Sequence, residues 1–179
     1  MRKGMSRAVG ALAWIWSGLV WACWDEAAAR YQLSPDLLYA IAKCESNLRP
    51  DVVNRSHYAR TGTYDIGLMQ INSSNLRRLE TYGITESQLY DACTNIEVGA
   101  WILADKVRAY GFSWEAVGAY NAACVDLKGR DCAAARSKYS WCVYRNLAAP
   151  RAPLASSRRA RAGAHAPPVA PIISTRVSP

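Results

Sequence analysis

The chain has 179 residues, 51% hydrophobic and 20% charged, with a formal net charge of +8, which is room for one compact domain of ordinary size. The excess charge sits at the two ends. Arg2, Lys3 and Arg7 open the chain and Arg151, Arg158, Arg159, Arg161 and Arg176 lie near its close, while 14 basic residues offset 14 acidic ones between Cys23 and Ala149. A neutral body offers no net bias toward a basic nucleic-acid-binding face, so no nucleic-acid partner is expected.

Taken in chain order, the first segment sets the three basic residues before an apolar run from about Ala8 to Ala22, closed by Val20-Trp21-Ala22, a small-x-small cleavage pattern. The run is short for a membrane span and reads as a secretory signal peptide over 1–22. The membrane enters only through this segment, and the mature protein is expected in the periplasm.

The body, 23–149, reads as mainly helical. Ser34-Pro35 is an N-cap followed by proline at the first helical position, opening a helix to about Ser46. Residues 47–73 carry Gly62 and Gly67 among β-favouring residues and read as a loop with one small hairpin. Thr85 with Gln88 and Thr94 with Glu97 have capping-box spacing. The second pair opens a long helix, which Gly111 should end. Ser113 caps the next helix, and a last one covers about Cys132 to Leu147. The segment 150–179 is rich in Pro, Ala, Ser and Arg with no acidic or aromatic residue. Such a composition cannot offset its ordering entropy by burial, so a disordered tail is expected.

The six cysteines are Cys23, Cys44, Cys93, Cys124, Cys132 and Cys142. An even count behind a signal peptide argues for disulfides in an oxidising compartment. No C-x2-C spacing occurs and His57 is the one histidine of the body, so no metal site is expected. Many pairings are open. Cys124 and Cys132 flank a short polar loop with Gly129, which makes a local bridge plausible.

Glu45 is the residue that asks for chemistry. Ala42, Ile41 and Leu38 lie three, four and seven residues before it, on one helix face, so Glu45 emerges from the inner stripe. A carboxyl in an apolar setting is pushed from about 4.3 toward 6 or more, the state a general acid needs near neutral pH. An interior glutamate paired to an arginine, or one turned into water at a fraying helix end, has the same spacing. Two other stretches bear on the choice. "YDIGLMQIN" combines Asp65, Met69, Gln70 and Asn72 around Gly67, and "GAYNAAC" sets Tyr120 and Asn121 among small residues.

Together "KCESNLRP", "YDIGLMQINSSNL" and "GAYNAAC" resemble, in order and spacing, the three signature motifs of soluble-type lytic transglycosylases. The intervening segments resemble the small branch of that family associated with secretion systems, pili and conjugation machines. The resemblance covers about Cys23 to Leu147. It implies a mainly α, goose-lysozyme-like domain with a small β-hairpin or loop region and a sugar-binding cleft. It implies Glu45 as the single acid/base, which cleaves the bond between N-acetylmuramic acid and N-acetylglucosamine and leaves a 1,6-anhydro product. Met69 and Gln70 match cleft-lining positions, Tyr120 the tyrosine that orients the glutamate, Asn121 its cleft neighbour, and Ser46 a supporting serine; Asp65 and Asn72 are further supporting candidates. No cofactor is implied, and the expected partners are peptidoglycan glycan strands and components of a secretion, pilus or conjugation machine. A monomer is expected. This chain departs from the family pattern in having cysteines at both 44 and 142, and a Cys44–Cys142 bridge would account for the two together. The competing functions are a hydrolytic muramidase with Asp65 as second carboxylate, and a wall-binding assembly protein acting through its tail.

Overall fold

The computed structural model describes residues 15–124 and 127–147, with side chains described from residue 22. Most of the expected signal segment and the whole of the expected tail lie outside these residues. Seven α-helices, three very short strands and two short 3-10 turns (Ser73–Asn75 and Glu86–Tyr90) make up the described body: α1 (Ile15–Tyr31), α2 (Pro35–Ser46), β1 (Val53–Asn54), α3 (Tyr58–Thr61), β2 (Asp65–Ile66), β3 (Ile71–Asn72), α4 (Leu76–Glu80), α5 (Ala92–Tyr110), α6 (Trp114–Asn121) and α7 (Gly129–Leu147). The architecture is mainly α, as the sequence indicates. The expected cleavage point between Ala22 and Cys23 falls inside α1.

Local chemistry sets the helix ends. The Ser34 side chain accepts from the Leu37 amide, Pro35 occupies the first turn, and Asn47 closes α2 in the left-handed region at φ 54°, a conformation asparagine tolerates better than most residues. The long helix α5 starts earlier than its Thr94–Glu97 pair suggests. Asp91 is the cap, because its carboxylate accepts from both the amide (2.9 Å) and the hydroxyl (3.0 Å) of Thr94, and a helix takes the first side chain able to satisfy its free amides. Ser113 caps α6 by accepting from Ala116.

Three strands form where one hairpin was expected. They run antiparallel in the order β1-β2-β3, with Val53 opposite Ile66 and Asp65 opposite Asn72. Two-residue strands carry no alternation for a pattern search to find, which is why β1 escaped notice.

One apolar cluster joins the helices. It includes Trp24, Leu38, Ile41, Ile66, Leu68, Met69, Ile96, Leu103 and Val143, all almost fully buried. Helix α1 packs on α5, α2 on α7, and α6 against both α5 and α7. Disulfides cross two of these seams: Cys23–Cys93 ties α1 to α5 at a Cα separation of 5.3 Å, and Cys44–Cys142 ties α2 to α7 at 6.1 Å. The third, Cys124–Cys132, clamps the loop between α6 and α7. Close approach at α6 depends on Gly118, where a Cβ would stand 2.6 Å from the Cβ of Arg136 on α7.

Candidate active site

Glu45 lies one residue before the end of α2, with Leu38, Ile41 and Ala42 of the same face completely buried. Its carboxylate is therefore anchored on the core side while still reaching the surface. The Tyr139 hydroxyl of α7 donates to Glu45 Oε1 at 2.6 Å, and the Asn121 side chain also bonds the carboxylate. Burial is the largest influence on the carboxyl and raises its pKa to about 7; the Tyr139 and Asn121 bonds pull it down, and the negative charge of Asp65 pushes it up. A group with such a pKa holds its proton in a large fraction of molecules at neutral pH, so it can donate one and then take one back.

The resemblance assigns the orienting bond to Tyr120. In the structure that bond comes from Tyr139, and Tyr120 instead donates to the Met69 carbonyl at 2.9 Å. The reason lies in the α2–α7 seam. Cys142 is bridged to Cys44, the neighbour of Glu45, and Tyr139 is one turn earlier on the same face of α7. The seam that carries the disulfide thus delivers the phenol to the carboxylate. Both phenols are held well above the ordinary tyrosine range, chiefly by burial and then by the charge of Glu45, so both remain donors.

Opposite Glu45 stands the segment 63–72, which buries Ile66, Leu68, Met69 and Ile71 in the core and is further held by polar bonds. Ser46 Oγ donates to the Leu68 carbonyl at 2.6 Å and accepts from the Arg49 amide at 3.0 Å, which joins the end of α2 to this segment. Asn95, fully buried on α5, is its hub. Its side-chain amide donates to the carbonyls of Ile66 (3.0 Å) and Leu89 (2.7 Å), and its oxygen accepts from the Met69 amide at 2.7 Å. Gly67 has φ +76°, and a Cβ there would come within 2.5 Å of the Leu89 carbonyl, so this turn requires glycine. Gly99 gives Met69 its space, since a Cβ at 99 would fall on the thioether. Met69 is accordingly fully buried, so its side chain packs in the core on α5 and does not line an open surface, where the resemblance places it.

Gln70 is in the left-handed region at φ 50°, and its amide donates to the carbonyls of Gly67 (2.8 Å) and Val52 (3.2 Å). Asn72 donates to Asp65 at 2.7 Å and to the Thr63 hydroxyl at 3.2 Å. His57 Nε2 lies 3.7 Å from the other oxygen of Asp65. Glu45, Ser46, Asp65, Met69, Tyr120 and Asn121 are thus brought together, with Gln70 and Asn72 bracing the segment. Tyr139 and Asn95 are the residues that sequence reasoning missed. Tyr139 was within reach of it: once Cys44 is paired with Cys142, the residue one turn before Cys142 must face the neighbour of Cys44. Asn95 has no such signal.

Comparison with known proteins places this arrangement among relatives. Residues 22–138 match the family model described as the transglycosylase SLT domain. The chain is 46% identical over 129 residues to the invasion protein IagB of Salmonella typhi, a match covering 71% of this chain and 78% of that protein. It is 38% identical over 124 residues to the protein IpgF of Shigella flexneri, covering 69% of this chain and 77% of that protein. The X polypeptide of Escherichia coli is 45% identical over 101 residues, 56% of this chain and 58% of that protein.

Proposed function

The chain belongs to the SLT family of lytic transglycosylases, and from that premise we propose that Glu45 alone carries its acid/base chemistry and that the product is a 1,6-anhydro-muramic end. The observation that supports this reading best is the carboxyl of Glu45, raised to about 7 mainly by burial while a phenol fixes its Oε1. Protonated Glu45 gives its proton to the glycosidic oxygen between N-acetylmuramic acid and N-acetylglucosamine as the bond from that oxygen to C1 breaks. The carboxylate so formed takes the proton of the C6 hydroxyl on the same muramic residue, and O6 bonds to C1. No water is consumed and Glu45 regains its proton, so the cycle closes on one carboxyl. A nucleophile supplied by the substrate itself has a high effective molarity, which removes the need for the two carboxylates of ordinary glycosidases.

A second reading has its own observation. The charge of Asp65 is felt by Glu45, and Asn72 holds one oxygen of Asp65 at 2.7 Å, so Asp65 is braced in the way a base for water would be. Digestion of purified peptidoglycan and weighing of the muropeptides separates the two, because the anhydro product is lighter by one water.

The cellular reading is part of the same proposal. Segment 1–22 directs export, the protein works on peptidoglycan in the periplasm, and local opening of the wall serves a secretion, pilus or conjugation machine. The name of the Salmonella relative, an invasion protein, supports that setting. None of the described helices is long and apolar enough to cross a membrane.

A further inference from the structure

Helix α7 has a second face that the chemistry does not use. Tyr139 and Cys142 point toward α2, whereas Ser137 and Trp141 each fall about 160° from Tyr139 around the helix at roughly 100° per residue. On that far side lies a groove of about 340 Å³. Trp114 and Glu115 of α6 form one wall, and Ser137, Ser140, Trp141 and Tyr144 of α7 the other. Its rings are open to solvent: Trp114 is 47% exposed, Trp141 60% and Tyr144 55%. They pack edge to face, Trp114 on Tyr144 with centroids 5.7 Å apart and Trp141 on Tyr144 at 5.4 Å. Ser140 Oγ donates to the Trp114 carbonyl at 2.7 Å and locks the two walls together. The one charged lining residue, Glu115, is already paired with Arg136.

Edge-to-face rings present notches between them, which suit the ring-and-ridge profile of a polyproline II strand better than the flat face of a sugar. A contiguous aromatic patch of this kind on a small domain calls for an occupant. The chain supplies one. Residues 148–179 follow directly on α7, beginning four residues after Tyr144, and hold six of the eight prolines of the sequence. Within them Ala166-Pro167-Pro168-Val169-Ala170-Pro171 contains no charged residue, matching a groove whose only charge is neutralised. As a polyproline II strand these six residues span about 19 Å. The α7 wall from Ala133 to Tyr144 is about 16 Å long at 1.5 Å per residue. The eighteen residues from 148 to 165, where Arg158, Arg159 and Arg161 lie, reach back over that distance with slack, and the tether gives the segment a high effective concentration at the groove.

We infer that the aromatic groove between α6 and α7 binds the proline-rich segment 166–171 of the same chain as a polyproline II strand. The test uses the full chain carrying fluorotryptophan, with the Trp114 and Trp141 signals assigned by single replacements and read by fluorine NMR. Replacing Pro167, Pro168 and Pro171 together by alanine should shift the Trp114 and Trp141 resonances and leave those of Trp24 and Trp101 in place. A synthetic peptide spanning 164–173, added in excess to that variant, should restore the original positions, and Trp141→Ala in the same variant should weaken capture of the peptide about tenfold, read from the Trp114 signal. Unmoved Trp114 and Trp141 resonances in the triple variant would overturn the proposal. So would shifts that disappear on dilution, which would place the segment on another copy, or a response to N-acetylglucosamine oligomers with none to the peptide, which would make the groove a glycan site.

Discussion

The two walls of the candidate site share the apolar core but are closed by different ties. The α2–α7 wall, which carries Glu45, is apolar packing closed by a covalent bridge: Leu38, Ile41 and Val143 are completely buried, and Cys44–Cys142 pins the helices beside the acid. The facing wall, residues 63–72, contains the short strands β2 and β3, sinks Ile66, Leu68, Met69 and Ile71 into the same core, and is closed by side chains that bond backbone, from Ser46, Asn95, Tyr120 and Gln70. An apolar seam tolerates the loss of one hydrogen bond, whereas a buried polar hub leaves several groups unsatisfied at once.

The largest effect should come from the acid itself. Glu45→Gln keeps shape and can still accept from Tyr139, but has no proton to give; muropeptide release should fall by about 10²- to 10⁴-fold or more. Thermal unfolding should remain cooperative. The variant should also lose a pH dependence. The folded carboxyl at about 7 lies above its unfolded value of about 4.3, so between those limits the folded state holds a proton that the unfolded state has released. Wild-type stability should therefore decline as pH rises through this window, by up to about 1.4 kcal/mol per unit, and the glutamine variant should lack that slope. Activity of the variant within a fewfold of wild type would remove Glu45 from the chemistry.

Next in size is the staple. Replacing Cys44 and Cys142 together by alanine opens a link across 98 residues and should cost about 2–5 kcal/mol, read as denaturant midpoint. If the seam also positions the acid, activity at a temperature where the variant is folded should drop as well. A stability loss with unchanged turnover would show that packing alone aims Glu45.

Asn95→Ala probes the other wall. It strips partners from the Ile66 and Leu89 carbonyls and the Met69 amide, each worth about 1–3 kcal/mol when buried and unsatisfied. The expected loss is about 3 kcal/mol, and because the 63–72 segment loosens, KM should rise more than kcat falls. A loss below 1 kcal/mol would mean that water or the Ser46 and Tyr120 bonds carry this wall unaided.

The two tyrosines should give the smallest and sharpest contrast. The Tyr139 hydroxyl favours the ionised carboxylate, so Tyr139→Phe should raise the Glu45 pKa above about 7 and move the alkaline limb of the pH–rate profile upward. Tyr120→Phe removes a bond to the Met69 carbonyl, which should cost about 1 kcal/mol of stability and leave that limb in place. The reverse pattern would return the orienting role to Tyr120.

The difference between the walls also decides what the sequence could disclose. Ser34-Pro35, the inward stripe ending in Glu45, and Gly111 at the close of α5 are local signals, and they located the helices and the inward placement of Glu45. The paired oddity of Cys44 and Cys142 pointed across 98 residues because cysteines pair only with each other. Tyr139 reaches Glu45 over 94 residues and is signalled only through the Cys44–Cys142 pairing beside it, and Asn95 looks like any polar residue in a helix's first turn until the fold buries it. Non-local polar contacts leave no periodicity: Ser46, Gln70 and Tyr120 were legible through the motifs that carry them, while Asn95 and the Tyr139–Glu45 bond lie outside those motifs.

One measurement bears most directly on the claim that Glu45 works without a second carboxylate. Purified peptidoglycan digested to completion by the protein should release muropeptides that end in 1,6-anhydro-muramic acid, each lighter by one water than the hydrolytic product, and the Asp65→Asn variant should release the same masses. Products with a reducing muramic end, disappearing when Asp65 is changed, would contradict it.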